Sequence, residues 1–391
     1  MKILVFSHKP IWKSEQSPSG WATDGGFVFH MMAISSLFSE MELMTLEVPG
    51  DHKGEIYFKD PNLIISPIRA PKHSGIKRKL SILWLGIRKM PYFISKIKES
   101  DIVHIPIPSD FGTIGMMLAW WLRKPLFIRH CGNWKNERTT AERFWKQFLI
   151  KNAGNRIAAL ATGGGKTVPS NQNPEIAWIF SSSLTYNDLR DIHEQVSSKE
   201  NNSTFRISIV GRQVEKKGTG VVIKALTFID LPIHLDVIGD GPDLNRFKEL
   251  SKTLGVTEKI TFHGKVSNES VINIISRSAL FVFPTTSSEG FPKVVLEAMA
   301  CGLPIITTNV SVLPHLIKGS DSGIILEEVS PEAVAEAVTK LFHDYPRRQV
   351  MKQNAIAAAK QYSLEKWAEA IAEKINQTFG WEIRQKRPIL K

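Results

Sequence analysis

The chain has 391 residues, 42% of them hydrophobic and 23% charged, with a formal net charge of +12 and two cysteines. That length suits two domains better than one, and the composition is globular rather than disordered, collagenous or disulfide-stapled. Cys131 and Cys301 stand in dissimilar contexts, so neither a disulfide framework nor a metal cluster is expected, and a reducing compartment is. The opening MKILVFSHKP is too briefly apolar for a signal peptide. No run approaches the roughly 18 apolar residues of a membrane-spanning helix. The positive charge calls for an anionic partner: a membrane surface, a nucleotide-linked substrate or a nucleic acid.

Residues 2–7 read as a buried parallel strand, followed by a loop rich in Ser, Pro and Gly and a helix over 27–38. Gly25 and Gly26 sit between them, in a turn that opens onto a helix N-terminus and suits a phosphate as well as a plain tight turn. Residues 61–98 contain nine Lys or Arg and no Asp or Glu. Within them Ile76, Leu80, Leu83, Trp84 and Ile87 recur at helical spacing, flanked by Lys77, Arg78, Lys79, Arg88 and Lys89. Met90-Pro91 is expected to end that helix. A basic amphipathic helix carrying Trp suits the headgroup plane of an anionic membrane; a core-packed helix with solvated lysines is the plainer alternative. Ordinary solvated faces mix signs, which this segment does not. Nucleic acid is not expected as a partner.

Strands over 101–107 and 125–130 bring His104 and His130 late in their runs, where catalytic groups of parallel sheets sit, although a buried structural histidine is the commoner outcome. Asn133 follows closely. Gly163-Gly164-Gly165-Lys166-Thr167 lacks the leading glycine of a phosphate loop and reads as a flexible turn. The polar stretch 194–204 reads as a linker. After it, the strand 205–210 runs into Gly211-Arg212-Gln213-Val214-Glu215-Lys216-Lys217-Gly218, which puts Arg212 and Lys217 directly before a helix N-terminus. The strand 233–238 ends in Gly239-Asp240-Gly241-Pro242, and the strand 259–262 runs into His263-Gly264-Lys265.

The stretch 284–304, PTTSSEGFPKVVLEAMACGLP, organises the second half. It leaves an apolar strand, loops, and enters a helix near Phe291 that Gly302 and Pro304 stop. Glu289 and Glu297 flank the helix opening, eight positions apart. Ionised carboxylates only accept hydrogen bonds. Two of them beside an anion-binding helix end fit a phosphate between two hydroxyl-bearing rings, as in a nucleotide-sugar; a surface Glu at the helix start and another on its solvated face are the plainer alternative on spacing alone.

The run SSEGFPKVVLEAMACGLPII resembles the E-x7-E signature of retaining glycosyltransferases of the GT-B fold, glycosyltransferase family 4 in particular. The resemblance implies an α/β chain of two Rossmann-like doubly wound domains facing across a cleft. It implies that Glu289 contacts the donor sugar and Glu297 the ribose, and that the helix opening at Phe291, Pro292, Lys293 and Val294 faces the diphosphate. Arg212 and Lys217 match the family's phosphate-clasping pair. Gly239 lies in its Gly-Asp-Gly-Pro turn, and Gly264 with Lys265 lies where the base rests. Gly25 and Gly26 match its Gly-rich first loop, and His130 its functional histidine near the reacting sugar. Ser181-Ser182-Ser183-Leu184-Thr185-Tyr186-Asn187, in place of the usual Asn-Gly-Val-Asp turn, and His315, in place of a Glu, depart from the pattern.

The expected domains are 1–195, acceptor-binding and carrying the basic segment 61–98; 196–362, nucleotide-sugar-binding; and 363–391, a helix crossing back. The expected function is retaining, metal-independent hexosyl transfer from a nucleoside-diphosphate sugar to a saccharide or lipid-linked acceptor, such as a polysaccharide precursor. The protein would be cytoplasmic and peripheral on the inner face of the membrane, with no cofactor beyond the donor. A nucleotide-sugar 2-epimerase of the same fold and a non-catalytic nucleotide-sugar-binding module are the alternatives.

Overall fold

The computed structural model describes residues 1–49, 56–71, 75–132, 134, 137, 139–164, 167–197, 204–287 and 291–390. The chain forms two compact units, one of Met1–Ser183 with Leu364–Lys391 and one of Leu184–Ser363.

The first unit contains strands β1 (Lys2–Lys13), β2 (Trp21–Thr23), β3 (Glu40–Glu47), β4 (Ile56–Tyr57), β5 (Leu63–Arg69), β6 (Ile102–Ile107), β7 (Leu126–His130), β8 (Ile157–Thr162) and β9 (Ile176–Ile179). Its first helices are α1 (Phe27–Ser35), α2 (Gly75–Glu99), α3 (Asp110–Trp121) and α4 (Thr140–Asn152). The parallel strands lie in the order β5-β3-β1-β6-β7-β8-β9. This is the doubly wound order, in which winding starts at β1, runs outward, then reverses to the other side.

Two elements differ from expectation. β1 does not end at Ser7. Past a register shift between Phe6 and Pro10 it continues alongside β3, and Trp12 pairs antiparallel with Ala22 of β2. The Ser- and Pro-rich letters hide this extension because its partners come from outside the local window. Pro91 does not end α2, which runs through it to Glu99. Pro91 is exposed, so the lost backbone bond faces solvent. On either side of it, Ile82, Phe93 and Ile97 are buried in one core. Phe93 meets Phe6 edge-on at 5.6 Å and Phe111 at 5.9 Å, anchoring the second half of the helix on the sheet.

The second unit starts earlier than residue 195. Helix α5 (Tyr186–Ser197) packs within it, against α9 (Lys293–Ala300) and α12 (Tyr345–Lys360), so the chain changes units at Ser183–Leu184. The polar letters of 194–197 belong to the end of that helix, and 198–203 lie outside the described residues. The strands are β10 (Phe205–Val210), β11 (Ile233–Ile238), β12 (Ile260–Gly264), β13 (Leu280–Phe283), β14 (Ile305–Thr308) and β15 (Gly323–Leu326). The remaining helices are α6 (Thr219–Ala225), α7 (Leu244–Thr253), α8 (Asn268–Ile275), α10 (Leu313–Ser320) and α11 (Pro331–His343). All the strand pairs are parallel, in the order β12-β11-β10-β13-β14-β15, the same doubly wound plan. The strands read as continuous apolar runs because both faces are covered: Ile207, Leu235, Val237, Leu280 and Val282 are all buried in one cluster with helix residues such as Val222 and Phe247.

The last helix, α13 (Leu364–Phe379), belongs to the first unit and packs against α1, β8 and β9. Its Trp367 is fully buried, stacked on His30 at 4.6 Å and capped by the Arg129 guanidinium at 5.0 Å. The tail beyond it stays attached: Ile383 and Ile389 are buried, and Arg387 donates to the Ser35 carbonyl at the end of α1. Trp367→Ala should lower the stability of the first unit by about 3–5 kcal/mol, read as a leftward shift of its urea-unfolding transition; an unchanged midpoint would show that α13 is dispensable to that core.

Candidate functional site

In the second unit the winding reverses between β10 and β13, and a ligand crevice forms outside the carboxyl ends of strands at such a point. The loops that leave those two strands are the ones the sequence singled out. After β10 come Gly211 to Val214, a 3-10 turn over Glu215–Lys217, and Gly218 at φ 88°. After β13 comes the loop that opens α9.

The two loops are tied together. The Lys216 carbonyl accepts from the Thr286 amide at 2.9 Å and the Thr285 hydroxyl at 3.1 Å. A Cβ on Gly218 would lie 2.5 Å from the Pro284 carbonyl oxygen, so only glycine permits this approach. Thr308 donates to the Thr285 carbonyl at 2.6 Å and Thr307 to that of Phe283 at 2.7 Å, fixing the loop to β14 as well. Arg212 is exposed on the first loop, and the Lys217 ammonium lies 5.6 Å over the Phe283 ring.

A third loop joins through Gln213, which is 1% exposed. Its side-chain amide donates to the Gly211 carbonyl at 2.9 Å and that of Ile238 at 3.1 Å, and accepts from the Thr219 hydroxyl at 2.8 Å. Its backbone bonds Asp240 and Asp243. A Cβ on Gly239 would lie 2.0 Å from the Gly211 oxygen, which explains the glycine there. The Gly239 amide in turn donates to the Gly264 carbonyl at 2.8 Å, bringing Gly264 and the neighbouring Lys265 to the same end of the sheet.

The helix α9 begins at Lys293, two residues later than Phe291, with Pro292 as its N-cap and no side-chain cap. Val294 lies in the first turn, at the positive end of the helix dipole. Phe291 is buried, 5.5 Å from the Tyr362 ring. Glu297 projects from the second turn and is 5% exposed, which no ordinary solvated glutamate would be. Glu289 lies outside the described residues.

In the first unit Gly25 has φ 67° and Gly26 is the N-cap of α1, again without a side-chain cap. His130 ends β7, is fully buried, and stands edge-on to Trp134 at 5.2 Å. Neither ring nitrogen has a hydrogen-bond partner among the described residues. Burial pushes its pKa down to about 4, against a smaller opposing pull from the Glu142 charge. His104 donates from Nδ1 to the Phe127 carbonyl, 2.9 Å away, and stacks on the Phe127 ring; burial takes its pKa to about 3. Asn133 lies outside the described residues.

On α2 the apolar stripe faces outward. Leu80, Leu83, Trp84 and Ile87 are 62, 58, 61 and 61% exposed. The Arg88 guanidinium covers the Trp84 ring at 5.3 Å and the Lys89 ammonium the Tyr92 ring at 5.9 Å. Lys77 and Lys79 are exposed; Arg78 instead pairs with Asp110 of α3 at 3.4 Å. The neighbouring α3 adds Met117 and Trp121, 63% and 70% exposed.

Residues 191–358 match the family model described as glycosyl transferases group 1. That segment is similar to the group 1 glycosyltransferase domain. It runs from within α5 through most of α12, and so holds both tied loops. Among curated relatives, a D-inositol 3-phosphate glycosyltransferase of Corynebacterium urealyticum is 29% identical over 177 residues, 43% of this chain and 42% of that protein. A GDP-mannose-dependent alpha-(1-6)-phosphatidylinositol monomannoside mannosyltransferase of Mycobacterium tuberculosis is 28% identical over 40% of this chain and 42% of that one. The chain thus matches under half the length of these relatives. Over 96% of the chain the fold resembles that of the Anabaena protein HepE in complex with UDP and glucose, with TM-score 0.68, 16% identity and 99% of that structure covered. WaaG, a glycosyltransferase involved in lipopolysaccharide biosynthesis, gives TM-score 0.60 at 15% identity, over 97% of this chain and 100% of its own. The architecture is therefore GT-B, two Rossmann-like α/β domains with parallel sheets.

The residues that the motif reading missed in the group 1 domain are Gln213, Thr285 and Thr308. They carry no charge and bond to backbone or, for Gln213, also to the Thr219 hydroxyl, so only their burial reveals them. In the first unit, Arg129 was missed too: it is 6% exposed beneath Trp367.

His130 is neutral in the fold because its pKa lies below the ordinary 6.5. The unfolded chain takes up a proton below pH 6.5 and the folded chain does not until about 4, so stability should fall as pH drops through that window. The slope reaches about 1.4 kcal/mol per pH unit for such a group. Urea midpoints measured from pH 7 to 4.5 should show the decline, and His130→Gln should make it shallower, leaving the part that His104 contributes in the same way; parallel profiles for the two proteins would rule it out.

Proposed function

We propose that this chain is a retaining glycosyltransferase that moves a sugar from a nucleoside-diphosphate sugar to a lipid-linked saccharide acceptor. The observation that carries the reading is the bonding of the β10 and β13 loops to each other at the switch point. That bonding puts Arg212, Lys217 and the start of α9 on one rigid surface of a group 1 domain. In the reaction, the bond between the anomeric carbon and the diphosphate oxygen breaks as the acceptor hydroxyl oxygen bonds that carbon, and the hydroxyl proton passes to the leaving diphosphate. Negative charge builds on the leaving diphosphate. Arg212, Lys217 and the α9 dipole would neutralise it in place, without reorganisation, which is where such groups lower a barrier most. A metal ion is not required by this scheme, since these groups supply the positive charge. The buried Glu297 would accept from the ribose hydroxyls and Glu289 from the sugar's. Gly239, Gly264 and Lys265 would border the base, Gly25 and Gly26 would bind the diphosphate, and His130 would act near the reacting sugar.

Titration calorimetry with UDP, GDP and ADP should give clear binding of one of them, weakened at least about tenfold, or 1.4 kcal/mol, by Glu297→Ala. Glu289→Ala should abolish turnover with little change in nucleotide affinity. Failure of all three nucleotides to bind would mean that the fold has outlived the function.

The lipid-linked acceptor is supported by α2. Leu80, Leu83, Trp84 and Ile87 form an outward stripe, with Lys77, Lys79, Arg88 and Lys89 at its edges. An apolar ridge with cationic margins suits an anionic bilayer surface, where each cation contributes about 1 kcal/mol. No helix among the described residues is long and apolar enough to cross a membrane, so the proposed attachment is peripheral, on the cytoplasmic face. Co-sedimentation should show binding to phosphatidylglycerol-containing vesicles and much less to neutral phosphatidylcholine ones, with Trp84→Ala and Arg88→Glu each reducing it several-fold. Equal binding to both vesicle types would sink the electrostatic account.

A further inference from the structure

We propose that the second unit carries another anion site, separate from the donor loops, that takes a small phosphate-bearing molecule. The donor loops leave the carboxyl ends of the strands. At the opposite end, a cavity of about 780 Å3 is bordered by Phe205, Pro232, Ala279 and Pro304, the residues at or just before the starts of β10, β11, β13 and β14. Its volume is that of a ligand pocket. Four cations line it, Arg206, Arg277, Arg348 and Lys352, and no Asp or Glu does among the described residues.

Arg206 is already balanced, by paired bonds of 2.8 and 2.7 Å to the buried carboxylate of Asp236. The other three cations lack such a partner in the lining. Arg348 is held in place rather than free to swing into solvent. Its guanidinium lies 5.2 Å over the Phe205 ring and 5.3 Å over that of Tyr345, and Nη1 donates to the Phe342 carbonyl at 2.7 Å and to that of Leu341. Burial there works against its charge, which a bound anion would offset. Ser278, also in the lining, has a buried hydroxyl with no partner among the described residues. A buried hydroxyl without a partner is costly, so such groups usually have one. A phosphate oxygen accepts from a hydroxyl, a guanidinium and an ammonium alike, and these bonds are strengthened by its charge. The rings of Phe205, Phe342 and Tyr345 give the cavity apolar walls, which would suit an organic phosphate better than the bare ion. The cavity is concave and lies at the far end of the sheet from the donor loops, so its occupant would be an effector rather than a substrate.

The test is calorimetric titration of the full chain with inorganic pyrophosphate, in an Arg212→Ala/Lys217→Ala background that removes phosphate contacts at the donor loops. That protein should still bind one pyrophosphate. Adding Arg277→Glu and Lys352→Glu should weaken binding at least tenfold, whereas reversing two exposed lysines elsewhere, Lys318→Glu and Lys360→Glu, should leave it within about twofold. Ser278→Ala, which alters no charge, should weaken it several-fold and covers the case in which the double reversal fails to fold. No binding in the starting background, or equal losses from the cavity and control reversals, would overturn the proposal. Either result is independent of whether a nucleotide binds the unaltered donor loops.

Discussion

The carbonyl of Lys216 and the bare Cα of Gly218 are the hinge pins of the second unit's working end. One accepts two hydrogen bonds from Thr285 and Thr286; the other lets the chain lie against Pro284 with no side chain between. Strands β10 and β13 are neighbours because the winding reverses between them, but neighbouring strands do not by themselves order the loops beyond their ends. The Lys216 and Gly218 contacts do. They turn two cation-bearing segments, far apart in sequence, into a single surface.

Gln213 extends the same logic to the loop after β11. Its three side-chain bonds and the missing Cβ of Gly239 stack the backbone of that loop directly on Gly211. A ligand with a charged middle and hydroxyl-bearing ends needs such an arrangement: cations and a helix end at fixed positions, and a carboxylate nearby whose desolvation has already been met in folding. Glu297, buried in the second turn of α9, is in that state before any ligand arrives. At the opposite end of the same sheet, four cations and, among the described residues, no carboxylate line the cavity, Arg206 being paired with Asp236. The two ends thus differ in kind, one built by backbone contacts and the other by side-chain charge.

The first unit shares the winding but uses its surface differently. Its helix α2 holds to the sheet through Ile82, Phe93 and Ile97 and leaves Leu80, Leu83, Trp84 and Ile87 in solvent. That division explains why a proline can sit in the middle of the helix: packing on both sides of Pro91 holds a segment whose local hydrogen bonding is incomplete. Trp367 of α13 is fully buried against His30 and Arg129, so the closing helix is part of the core of the first unit and not an appendage.

The apolar strand runs, the glycine turns at Gly211, Gly218 and Gly239, and the letters from Glu289 to Pro304 were sufficient in the sequence to indicate two doubly wound units with a nucleotide-sugar-type motif in the second. These features are local: strand burial needs continuous apolar runs, close backbone approach needs glycine, and helix starts and stops have their own residues. The sequence could not say which face of α2 is buried, because an amphipathic stripe looks the same against a core as against a lipid surface. It also could not show that β1 extends to Lys13, that α5 belongs to the second unit, or that Gln213 and Thr285 matter. Each of these depends on partners outside the local repeat of the chain, and an uncharged side chain that bonds to backbone or a hydroxyl leaves no mark in composition or spacing. Tertiary structure decided them because burial and hydrogen-bond satisfaction are properties of neighbours in space, which the order of residues along the chain does not contain.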